Sequence, residues 1–98
     1  MNMCRQTRYT PVGEHVRLLV LKRLARGPAE VGEIDRMVRE AVEALGVRYD
    51  WRAWPRLLEG EVVVKDGVVT ITPRGRWILE LTSEEVAKCA KKRLGVEV

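Results

Sequence analysis

Residues Val62 to Glu80, VVVKDGVVTITPRGRWILE, put two periodicities back to back, and that junction limits the folds open to the chain. Val62, Val63 and Val64 make a β-rich run, and Val68 to Ile71 make a second. Asp66-Gly67 between them is a strong hairpin signal, because both central residues of the tightest such turn need positive φ. Thr72-Pro73 then ends the alternation with a capping hydroxyl and a proline suited to a first helical turn. The helix so started is expected over about 73–81, with Trp77, Ile78 and Leu81 facing inward. A two-stranded ribbon is marginal alone. This hairpin, about 61–72, must lean on helices.

The supporting helices lie upstream. Thr10-Pro11 gives the same start signal, and Val12, Val16, Leu19, Val20 and Leu24 recur at helical spacing until Gly27-Pro28. Leu18 and Leu21 widen that stripe, so this helix is expected to be buried on more than one side. A second helix is expected over 30–45. Val31, Ile34, Val38, Ala41, Val42 and Leu45 form one face, and Glu30, Glu33, Asp35, Arg36, Arg39, Glu40 and Glu43 form the other. A short third helix should lie within 51–59. Capping it with Asp50 would put Pro55 where a donor is needed, at a cost of about 3 kcal/mol, so a start two residues later is expected. Trp51, Trp54, Leu57 and Leu58 would face the core. Ser83, with the Thr82-to-Glu85 capping-box spacing, predicts a fifth helix over 84–94, ended by Gly95.

The order is therefore helix, helix, helix, hairpin, helix, helix. That is an α+β chain, mostly α, read as one domain over 10–98 behind a flexible basic arm over 1–9. The length of 98 residues suffices for one small core. The net charge of +4 favours a polyanionic partner, and its distribution is uneven. Residues 1–28 carry six Lys/Arg against one acid, whereas residues 29–50 carry three against six. No run is long enough to cross a bilayer or to act as a signal peptide, so a soluble cytoplasmic protein is expected.

The element order resembles that of the winged helix-turn-helix family of DNA-binding domains. The segments LARGPAEVGEI (24–34) and WPRLLEGEVVVKDGVVTITPRGRWILEL (54–81) carry the resemblance, and ITPRGRWILEL is its most specific part. Small archaeal and prokaryotic transcription regulators of this kind share it. The resemblance covers roughly residues 11–82. It implies a three-helix core with a two-stranded hairpin as wing, followed here by two C-terminal helices. It also implies duplex-DNA binding, sequence-specific or general. In that family the third helix enters the major groove, and the wing touches the neighbouring backbone or minor groove.

On that reading Arg52 and Arg56, four residues apart, lie on one side of the third helix, with Arg48 in the turn before it. Arginine is the side chain best shaped to grip a guanine edge or a phosphate with two hydrogen bonds. Lys65 stands at the wing tip, and Arg74 and Arg76 at the start of the closing helix. Arg5 and Arg8 are either a minor-groove arm or a solvated terminus. Lys88, Lys91, Lys92 and Arg93 complement the dipole at the end of the final helix. Val86, Ala87, Ala90 and Leu94 form a stripe there, a candidate homodimer contact through which two half-sites would be addressed. The alternative is a winged helix that docks on a protein partner, using the acidic second helix and the Trp51–Trp54 segment.

Cys4 and Cys89 have no metal-binding spacing and only His15 as an imidazole neighbour, so no metal or cofactor is expected. They are either free thiols or a disulfide joining the arm to the last helix. The second option gains from composition, since Asn2 and Gln6 are the only amides in a charge-rich chain, a thermophilic trait. Catalytic motifs are absent, and an enzyme is not expected.

Overall fold

The apolar stripe of residues 12–24 forms the central helix, and the other helices and one strand of the sheet are placed by what they bury against it. The computed structural model describes residues 11–50 and 53–95, and within helices it leaves undescribed the side chains of Pro11, Ala53, Ser83 to Val86, Cys89, Ala90 and Arg93. The elements run α1 (Pro11–Ala25), β1 (Ala29–Glu30), α2 (Val31–Ala44), α3 (Ala53–Leu57), β2 (Val62–Lys65), β3 (Val68–Ile71) and α4 (Pro73–Leu94). The result is an α+β architecture, mostly helical, with one small antiparallel sheet of three strands. No described helix is long and apolar enough to cross a membrane.

Helix α1 touches α2, α3, β3 and α4. Val16, Leu18, Val20, Leu21 and Leu24 are all buried, so the widened stripe has the expected consequence. Ile34, Val38 and Val42 of α2, Trp54 and Leu58 at α3, and Val69 and Ile71 of β3 close one apolar cluster with it. Among the described residues α3 begins at Ala53, and Pro55 lies two residues further on.

The sheet differs from the expected two-stranded ribbon. Ala29 and Glu30 add a third strand, in the order β1-β3-β2. Ala29 pairs with Val69 and Glu30 with Val68, while Val62 to Lys65 pair with Ile71 to Val68. The buried partners Ala29, Val69 and Ile71 point inward. Glu30, Val68 and Lys65 form a row on the outer face. The turn is as read, with φ of 53° at Asp66 and 75° at Gly67. The backbone N–H of Val31 donates to the carbonyl of Gly67 at 2.9 Å, which ties the hairpin turn to the first residue of α2.

The two expected C-terminal helices are a single one of 22 residues. Neither proline nor glycine occurs between Gly75 and Gly95, and the Thr82 hydroxyl donates to the carbonyl of Ile78 at 2.7 Å, one turn back. A Ser/Thr pair starts a helix only where the preceding chain is not already helical. The inward placement of Trp77 and Leu81 also fails. Gly75 is the buried residue in this part of α4, with Ile78, Leu79 and Thr82 half-buried on the same side, and Trp77 and Leu81 lie opposite.

Candidate nucleic-acid interface

The cations singled out by sequence can be placed on this frame. Trp54 and Leu58 anchor α3 in the core, which turns Arg56 outward into solvent. Arg48 is exposed in the segment between α2 and α3. Lys65 is exposed at the last residue of β2, beside the turn, and Arg74 and Arg76 are exposed in the first turn of α4. Arg74 lies along the exit of α3, its Cδ 3.9 Å from where a Cβ on Gly60 would stand. Lys65 is about 10 Å further along the hairpin from that junction, three residues of strand at about 3.3 Å each. Arg5, Arg8, Trp51, Arg52 and Cys4 lie outside the described residues, as do the side chains of Val86, Cys89 and Ala90. Leu94 is half-buried.

Three interactions hold this surface in place. Thr72 caps α4, its hydroxyl accepting from the Gly75 N–H at 3.0 Å and donating to the Gly60 carbonyl at 2.9 Å. Gly75 is required there, since a Cβ would stand 2.2 Å from the Glu61 carbonyl oxygen. The Glu61 side chain, 5% exposed, accepts two hydrogen bonds from Arg17 of α1, at 2.8 and 2.6 Å. A bidentate arginine–carboxylate pair out of water is both strong and geometrically exacting. It locks the base of the hairpin onto the central helix.

The approach to α3 is held by a second polar group. Asp35, expected on the solvent face of α2, turns instead toward Tyr49 and Trp54. The Tyr49 hydroxyl and the Trp54 indole N–H both donate to its Oδ1, the latter at 3.4 Å, and Arg39 donates to Oδ2 at 3.3 Å. The Arg39 guanidinium also stands 5.4 Å over the Tyr49 ring. Burial, then the bond to Asp35, pushes the Tyr49 hydroxyl pKa well above its usual range. None of this was read from sequence. The one available signal was that the polar tip of a buried Tyr or Trp must find a partner.

The remaining acids expected on that face, Glu30 of β1 and Glu33, Glu40 and Glu43 of α2, stay exposed. Glu33 pairs with Arg23 of α1 at 2.7 Å, and that guanidinium holds its carboxyl below the usual range. The cations thus divide into two groups. Arg17, Arg23 and Arg39 are in ion pairs, whereas Arg48, Arg56, Lys65, Arg74 and Arg76, like Arg26 and Arg36 elsewhere on the surface, form none among the described residues. Acids stand near the second group too: Asp66 follows Lys65 at the turn, and Glu80 lies one turn beyond Arg76 on α4. Glu30 shares the outer row with Lys65, about 10 Å away across two strand spacings.

Among the described residues no His, Cys, Asp and Glu side chains are grouped to hold a metal ion. Comparison with known protein families, curated proteins and solved structures gave no match to this chain.

Proposed function

We propose that the protein is a winged-helix DNA-binding protein of the transcription-regulator type, with α3 directed at the major groove and the β2–β3 hairpin as its wing. One observation carries this reading. Arg48, Arg56, Lys65, Arg74 and Arg76 are exposed and form no ion pair among the described residues, while three other arginines are engaged by carboxylates. These open cations follow the chain through the approach to α3, α3 itself, the wing and the first turn of the next helix. Phosphates contribute most of the affinity for such a surface, and a guanidinium on a docked helix adds base recognition.

The protein-docking alternative loses one of its two expected tryptophan anchors. Trp54 is 3% exposed and belongs to the core, so it is no anchor for a partner.

Titration of duplex-DNA binding against salt tests the proposal. Five neutralised phosphates correspond to a slope of log affinity on log salt of about −4 to −5. Absence of binding at low salt overturns the DNA reading.

A further inference from the structure

Trp77 and Leu81 are the most exposed large hydrophobic residues described, at 57% and 59%. They lie one turn apart on the outward side of α4, with half-buried Ile78 beside them. A tryptophan and a leucine side by side in water form the kind of apolar spot that association removes, and tryptophan is prominent among residues that carry binding energy.

The charges beside this spot say what covers it. Arg76 and Glu80 are both exposed and run along one flank of the stripe, one turn apart. Arginine four residues before glutamate is the poorer order for pairing within a helix. Arg76 and Glu80 form no such ion pair. A second copy of α4, turned about a two-fold axis near residue 79, runs antiparallel to the first. Trp77 then meets Leu81 of the second copy, and Leu81 meets its Trp77. In an antiparallel helix pair like flanks face each other, so Arg76 opposes Glu80 twice over. Each contact occurs in duplicate, as a two-fold interface requires. An apolar stripe with a flank that complements itself suits a second copy of this chain.

We infer that the Trp77–Leu81 face of α4 is a homodimer interface, formed by antiparallel pairing of α4 across a two-fold axis. This face is distinct from the Val86, Ala90 and Leu94 stripe expected from sequence. The inference is independent of the DNA reading, because the association is measured without DNA.

Sedimentation velocity on the full chain, over a wide concentration range, is the test. A dimer that dissociates on dilution is expected. Leu81→Glu should weaken it by about tenfold or more, a single buried hot-spot loss. Arg76→Glu and Glu80→Arg should each weaken it, and the double exchange should recover most of the loss. Circular dichroism establishes that the variants are folded, since all three side chains are exposed. A chain that stays monomeric throughout overturns the inference. So does a dimer indifferent to Leu81→Glu, and a double exchange without recovery overturns the antiparallel register. Salt titration of DNA binding by Leu81→Glu keeps the two readings apart, because its phosphate slope per chain should differ from that of the parent by no more than the one contact Arg76 contributes.

Discussion

At Gly75 a methyl group has nowhere to go. In an exposed helix Gly→Ala stabilises by about 1 kcal/mol. Here the added carbon would stand 2.2 Å from the Glu61 carbonyl oxygen and 2.8 Å from Cγ1 of Ile71. The steric term wins, and Gly75→Ala should destabilise by about 3 kcal/mol in urea unfolding. A gain in stability would show that α4 does not approach the hairpin base this closely. His15 makes a different prediction. It is 4% exposed, and its Nδ1 has no hydrogen-bond partner among the described residues. Burial lowers its pKa from 6.5. The unfolded chain therefore takes up the proton first as pH falls. Stability should be unaffected by His15 above its unfolded pKa and should decline as pH drops below about 6.5. His15→Met should flatten that part of the profile, and an unchanged slope would place its origin elsewhere.

Between elements, the Arg17–Glu61 pair offers the sharpest test of how the hairpin is fixed. Arg17→Met leaves the Glu61 carboxylate buried without its cation and should cost about 3 kcal/mol. Adding Glu61→Leu should recover much of that, since replacing both members of a buried pair is far less costly than removing one. Strict additivity in this double-mutant cycle would mean that the pair is not coupled. The pair was not legible in the sequence because its partners are 44 residues apart and neither motif nor period links them. The elements themselves were far more legible. Helices α1 and α2 declare themselves by apolar spacing, and the hairpin by Asp66-Gly67. Strand β1 does not, because two residues cannot show an alternation and Ala29-Glu30 owe their conformation to pairing with β3. The false break in α4 has a local cause too. Thr82 and Ser83 carry a capping signature that is overridden once the helix arrives from Thr72 already formed.

For the whole molecule, the proposed roles separate by sequence dependence and salt. Arg56→Ala should weaken binding to a preferred duplex by about 1–3 kcal/mol and leave random sequence much less affected. Lys65→Ala should weaken all duplexes alike and make the salt slope shallower by about 1. Equal behaviour of the two variants in paired titrations would remove the distinction between a reading helix and a positioning wing. The outward cations of this site were legible, because chain order plus one anchored tryptophan fixes which side of α3 faces water. The open face of α4 was not, since Trp77 and Leu81 follow the same spacing as buried residues and only packing against α1 decides the side. The bond from the Val31 N–H to the Gly67 carbonyl has a kinetic consequence. The hairpin has no independent hinge, because its turn is stitched to the beginning of another helix. Amide exchange in β2 and β3 should therefore be governed by the same opening event that frees the first turn of α2.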